Sequence, residues 1–175
     1  RIKMLNPLPP RLYLVTASLT EMNLNQSGYK LSVVNRKHRI GGGIALTCKN
    51  SIYMLKLRNG AKKSFEYGIW KLIFKNISLH VIGVYRPPSL ATGEQFTSEF
   101  SNFMKEIIPN FSNILIMGDF NLHVNKINKS TSCFTNTLDA MGLEQHVNFS
   151  THTRGNTLDL VITETVNGVE VLKCE

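Results

Sequence analysis

The sequence predicts an α+β domain in which two β-sheets pack face to face and helices lie outside them. Three observations lead there. The first half is a series of short apolar runs broken by Gly, Pro and Asn, which favours antiparallel strands joined by tight turns. From Thr92 the apolar spacing becomes helical and stays so to Ile108. Ile114 to Asn121 (ILIMGDFN) follows, a continuous apolar run that ends in Gly118, a carboxylate, an aromatic and an amide. Such a run suits a strand covered on both faces.

Taken in order, residues 1–10 hold three of the six prolines and read as a lead-in arm outside the core. LYLVT at 12–16 is a short buried strand. Residues 18–29 are polar and contain Gly28, so a loop is expected there. Residues 31–34 form a short strand ahead of the basic cluster Arg36, Lys37, His38 and Arg39. Gly41, Gly42 and Gly43 open a strand at 44–48; a phosphate cradle would need a helix after the glycines, so they read as a turn. IYMLKL at 52–57 is a strand ending before Asn59-Gly60, a strong turn dipeptide. EYGIWKLIF at 66–74 and ISLHVIGVY at 77–85 flank Lys75-Asn76 and make a hairpin, which Pro87-Pro88 stops. Phe96, Phe100, Phe103, Met104 and Ile107 give the helix at 92–108 an apolar stripe, and Pro109 ends it. A shorter helix is expected at 132–141, with Phe134, Leu138 and Met141 inward and Gly142 as its C-cap. A polar turn at 151–156 leads into TLDLVIT at 157–163, whose interior is apolar except for Asp159.

At 175 residues with 42% hydrophobic content, the chain reads as one domain with a real core. Lys+Arg 20 against Asp+Glu 12 gives a net charge of +8 and points to an anionic partner, most simply nucleic acid. The basic residues cluster at Arg36–Arg39 and at Lys56, Arg58, Lys62 and Lys63, without the interleaved aromatics of a single-strand stacking platform. Cys48, Cys133 and Cys174 are odd in number and far apart, which argues against a disulfide framework and for a reducing compartment. No apolar run is long enough to span a membrane. An intracellular setting, nuclear or cytoplasmic, is the expectation. The chain starts at Arg1 and stops in a polar stretch, so it is expected to be a domain truncated at both ends.

Three strands hold polar groups where a core strand would have none. Side chains alternate in extended chain, so Asp119 and Asn121 are expected on one face with Phe120 on the other. Oxygen-bearing groups at a strand end suit a hard cation or a phosphate, or else an Asx turn leading out of the strand. Tyr85-Arg86 ends the 77–85 strand, and Asp159 lies in the last one. Singly, Tyr85 reads equally as an interface aromatic and Asp159 as a buried carboxylate bonded to backbone N–H groups.

Together, GVYRPP, a helix, ILIMGDFN and THTRGNTLDLVI resemble the endonuclease/exonuclease/phosphatase superfamily, and most of all the endonuclease domain of non-LTR retrotransposon polyproteins. GGGIALTCKNSI is similar to that group's Gly-rich strand, and the resemblance spans roughly residues 12–164. It implies a four-layered α/β sandwich of two packed mixed β-sheets flanked by helices, DNase I-like, hydrolysing DNA phosphodiesters with Mg²⁺ or Mn²⁺. It also implies a reverse transcriptase in a longer parent chain. By the same resemblance Asp119 orients and deprotonates the attacking water, and Asn121 contacts the phosphate and metal region. Tyr85 donates to the scissile phosphate, Asp159 buttresses a histidine, and Arg86 is a candidate substrate donor.

The sequence departs from the pattern in three places. Ala17 falls where the family carries its metal-binding Glu, and Glu21 comes several residues late. Asn6, in a Pro-rich context, is a poor counterpart of an early Asn, and no terminal Ser-Asp-His follows. None of His38, His80, His123, His146 or His152 has that context; His152 reads as a turn residue. Reduced or lost activity is therefore expected. The alternatives are a non-catalytic nucleic-acid-binding remnant of the same fold and a phosphatase or phosphodiesterase of the same superfamily.

Overall fold

Strand pairing in the computed structural model sorts the chain into two sheets. It describes residues 2–5, 12–15, 27–34, 43–88, 91–165 and 171–172. The smaller sheet runs β11 (Val171–Leu172), β1 (Ile2–Leu5), β2 (Leu12–Val15), β4 (Ile44–Lys49), β3 (Tyr29–Val34), with every pair antiparallel. The larger runs β5 (Tyr53–Ala61), β6 (Glu66–Phe74), β7 (Ile77–Tyr85), β8 (Ile114–Asp119), β10 (Asp159–Glu164), β9 (Leu143–Gln145). All its pairs are antiparallel except β7 with β8. The α+β class expected from the sequence is the class observed.

Helix α1 (Gly93–Ile107) is the crossover that a parallel β7–β8 pair requires. Thr92 and Gln95 form a reciprocal capping box at its start. Its stripe of Phe96, Phe100, Phe103, Met104 and Ile107 is buried as the spacing predicts. These residues meet Phe65, Ile69, Ile82, Ile116, Phe120 and Ile162 on one face of the larger sheet. Phe65 packs edge-on to Phe96, Phe100 and Phe103 at 5.4–6.1 Å between centroids, the geometry that ring quadrupoles favour. Helix α2 (Lys129–Ala140) adds Phe134 and Leu138 to the same cluster.

The other face of the larger sheet packs on the smaller one. Trp70, Val81, Leu115, Met117 and Val161 meet Val34, Ile44, Leu46 and Cys48. Trp70 is fully buried, and its indole N–H crosses between the sheets to Ser32 Oγ at 2.8 Å. A buried indole without such an acceptor would carry a desolvation cost of about 1–3 kcal/mol.

Several local expectations are corrected. Residues 2–5 pair with β2 and β11 as a strand and are not a lead-in arm. Asn59-Gly60 is not a turn: β5 runs through it, with a bulge between Lys56 and Arg58. Gly60 is needed for close approach instead, because a Cβ there would lie 2.9 Å from the Tyr67 hydroxyl. The reversal comes at residues 62–65, where Lys62 N–H donates to Phe65 O at 2.8 Å. Helix α2 starts three residues early because Asn128 and Thr131 cap it reciprocally. The two short strands β9 and β11 carry no sequence signal of their own. Cys48 is buried, Cys133 is exposed and both are free, while burial pushes the Cys48 thiol up. The cluster Arg36–Arg39, Gly41, Gly42 and Cys174 lie outside the described residues.

Candidate active site

Three strand ends meet at one edge of the larger sheet. The crossover through α1 makes β7 and β8 parallel, so their C-terminal ends lie together and Tyr85 pairs with Asp119. The β10 strand returns antiparallel, so its first residue, Asp159, pairs with Asp119 from the other side. Neighbouring strands are about 4.8 Å apart, which puts Tyr85 and Asp159 on either flank of Asp119. Register partners share a face. Tyr85 packs on the cluster between the sheets, so this row looks into the seam of the sandwich, while Phe120 points to the helices.

Gly118 makes this row possible. Its Val84 neighbour on β7 approaches so closely that a Cβ on Gly118 would lie 1.8 Å from Val84 O. Only a glycine lets the strand carrying Asp119 close on the strand carrying Tyr85.

The chain stops being extended after Asp119. Asn121 has φ +48°, a left-handed conformation that Asn tolerates better than most residues. Strict alternation therefore fails at Asn121, and its side chain is not simply stacked above that of Asp119. Asn121 N–H donates to Asp119 Oδ1 at 3.2 Å, the Asx-type closure that the sequence offered as one reading. Its amide Nδ2 donates to Arg86 O at 2.7 Å, and Arg86 N–H donates to Asp119 O at 2.8 Å. The turn thus joins both strand ends and holds the carboxylate in place.

Arg86 is 5% exposed. One guanidinium nitrogen donates to Phe120 O (3.3 Å) and Asn121 O (3.0 Å), the other to Ala91 O (2.7 Å). The group also lies 5.4 Å from the Phe96 ring centroid. Burial pulls its pKa down, and the Asp119 charge opposes that. In this arrangement Arg86 fastens the GDFN turn to the segment before α1.

Asp159 is 3% exposed, and its position is fixed by the loop before it. Thr151 Oγ1 accepts from the N–H groups of Leu158 and Asp159, both at 3.0 Å. Asn125 ties that loop to the one after GDFN, donating to Gly155 O at 2.8 Å and accepting from Thr157 N–H at 3.1 Å. His152 is a turn residue, as expected: its Nδ1 accepts from Arg154 N–H at 3.1 Å. Thr151 and Asn125 escaped the sequence reading because each acts on the backbone of another segment, across the turn for Thr151 and 30 or more residues away for Asn125. Glu66 escaped it too; as the register partner of Tyr85 it extends the row to Glu66–Tyr85–Asp119–Asp159. Only strand pairing could reveal that.

Among the described residues, no three His, Cys, Asp or Glu side chains come together as a cation site. Ala17, Glu21 and Asn6 lie outside the described residues. Among the described residues the carboxylates of the row therefore do not by themselves complete a Mg²⁺ or Mn²⁺ site. Among the described residues no helix is long and apolar enough to cross a membrane.

The architecture matches known proteins. The endonuclease domain of TRAS1, a telomere-specific non-LTR retrotransposon, superposes with TM-score 0.66 at 11% identity, over 87% of this chain and 71% of that one. A humanized D. rerio TDP2 gives 0.61 at 10% identity, over 87% and 69% of the two chains. The human Nocturnin catalytic domain gives 0.61 at 12% identity, over 87% and 68%. No curated protein matches by sequence. The family model described as endonuclease-reverse transcriptase matches residues 79–175, a stretch that includes most of β7, all of β8 and β10, and the whole Tyr85–Asp119–Asp159 row. More than half of the chain is covered, and the chain belongs to this endonuclease-reverse transcriptase family of the endonuclease/exonuclease/phosphatase superfamily.

Proposed function

We propose that this chain is an endonuclease-type domain of retrotransposon origin that acts on DNA phosphodiesters, with its catalytic power reduced or lost. The observation that carries the reading is the Tyr85–Asp119–Asp159 row across three strands. Phosphodiester hydrolysis needs an activated water and donors aimed at the phosphate oxygens. In this reading the Asp119 carboxylate takes a proton from water, which its hold by the Asn121 turn supports. In this reading the Tyr85 hydroxyl donates to a non-bridging phosphate oxygen, which its pairing beside Asp119 supports. Asn121 fixes the turn between them, and Asp159 flanks Asp119 on the far side. The +8 charge supports a polyanionic substrate.

Catalysis of this kind also draws on a divalent cation, Mg²⁺ or Mn²⁺, to offset charge growing on the phosphate. Ala17 at the expected carboxylate position favours a second reading beside the first, a nucleic-acid-binding domain that no longer cuts. A reverse transcriptase in a longer parent chain belongs to the same proposal.

Nicking of supercoiled plasmid in Mg²⁺ and in Mn²⁺ tests these ideas, with binding measured in parallel. Salt-sensitive DNA binding with weak or no nicking is expected. Robust nicking that disappears in Asp119→Ala would overturn the loss of activity. Nicking unchanged in Asp119→Ala would overturn the assignment of the site.

A further inference from the structure

The loop between β8 and α2 ends in an exposed apolar tip. Ile127 is 97% exposed, whereas the other exposed large hydrophobic residues among those described lie between 36% and 58%. The tip is built into the fold from both sides. Leu122 and Val124 anchor the start of the loop in the helix-side core. Lys126 N–H donates to His123 O at 2.8 Å. Lys126 O accepts from Thr131 Oγ1 at 2.7 Å and from Asn128 Nδ2 at 3.3 Å. Asn128, the next residue, caps α2. Ile127 therefore stands between two residues whose backbone is held, and its β-branched side chain has little rotamer freedom of its own.

Its surroundings are cationic. Lys126 and Lys129 are exposed on either side of it, and His123 lies earlier in the same loop. Glu94 at the start of α1 interacts with Lys129 and Ser130 and offsets one of these charges. Asn125 ties the loop to residues 155 and 157, which lead into Asp159 and bring Arg154 to the same rim. The opposite end of the loop is Asn121, at the strand end that carries Asp119.

An apolar side chain held out between cations is the arrangement by which proteins unstack adjacent base pairs while neutralising the flanking phosphates. The loop that carries Ile127 begins at the strand end of the Tyr85–Asp119 row and is tied to the loop leading into Asp159. We infer that Ile127 is a wedge that inserts between base pairs of double-stranded DNA beside the site, with Lys126 and Arg154 holding the backbone on either side. This rests on the reading of the chain as a DNA-acting domain and adds the unstacking of one base step by Ile127.

The test uses short DNA duplexes carrying 2-aminopurine at successive positions, with binding followed by fluorescence anisotropy and unstacking by 2-aminopurine brightening. The wild-type chain should bind with a negative salt slope and brighten the probe. Ile127→Ala, equally heat-stable because the side chain touches little, should bind roughly tenfold more weakly and lose the brightening. Ile127→Met should keep it. Lys126→Ala should lower the salt slope by about one while leaving the brightening at saturation intact. Wild-type-like brightening in Ile127→Ala, or a preference for single strands over duplex, would overturn the wedge while leaving the DNA-binding reading in place. Absence of any salt-dependent DNA binding by the wild-type chain would overturn both.

Discussion

Replacing Gly118 by Ala adds a single methyl group at the point where the two site strands touch. The new Cβ would lie 1.8 Å from Val84 O and 2.7 Å from the Val84 carbonyl carbon. Ordinary carbon–oxygen contact needs more than 3 Å, so one strand must retreat by over 1 Å. Both atoms it meets are backbone, one pair from the end of a parallel ladder, so no side-chain rotation can relieve the clash. Overpacking of this kind costs about 1–3 kcal/mol, and a rigid backbone obstacle places Gly118→Ala at or above the top of that range. For a chain of this size the melting temperature should fall by roughly 6–12 °C. Gly155→Ala is the matched control. Its φ of +75° makes Ala uncomfortable, but a Cβ there meets nothing within 4 Å, so only the conformational cost of about 1 kcal/mol is expected. Thermal unfolding of both variants followed by circular dichroism separates the two effects. Equal losses for Gly118→Ala and Gly155→Ala would refute the argument that the β7–β8 approach depends on a missing side chain.

Two further outcomes follow from side chains that hold backbone. Arg86→Lys keeps the charge but can replace about one of the three donations to Phe120 O, Asn121 O and Ala91 O. Leaving the others unmet should cost about 2–4 kcal/mol, read as a lower urea midpoint with an unchanged slope. Glu99 accepts from Lys63 N–H at 3.0 Å, from Ser64 N–H at 2.7 Å and from the Ser64 hydroxyl, closing the β5–β6 link. Burial alone would raise its pKa, but these donors and the Lys62 charge outweigh it and hold the carboxyl below its ordinary value. A depressed folded-state pKa means the unfolded chain binds the proton more readily. The Glu99 contribution is then fully present above the ordinary carboxylate pKa of about 4.3 and fades as the pH falls through the lower folded value. Glu99→Gln should lower stability at neutral pH and flatten its decline in acid; an unchanged acid limb would contradict the assignment.

Most of the elements, and the residue types at the polar strand ends, were legible in the sequence. The stripe of Phe96, Phe100, Phe103, Met104 and Ile107 specified α1, because helical periodicity is a local property that survives in the fold. The apolar run into Gly118-Asp119 specified β8, and the order of GVYRPP, GDFN and THTRGNTLDLVI indicated the family. Local signals misled where a distant partner outweighed them. Asn59-Gly60 has turn chemistry, yet pairing with Gly68 and Tyr67 of β6 captures it as strand. Residues 2–5 are followed by prolines, yet pairing on both sides makes them a strand.

How the polar strand ends combine came only with assembly of the sheets. Tyr85, Asp119 and Asp159 are far apart in sequence and lie in one row because a helical crossover makes β7 and β8 parallel and β10 returns between β8 and β9. Glu66 joins that row through register alone, and Arg86 turns from candidate donor to buried fastener once three carbonyls surround it. Sequence periodicity reports which face of an element is apolar. Register and crossover direction report which residues from different elements meet, and those arise only when the sheets assemble.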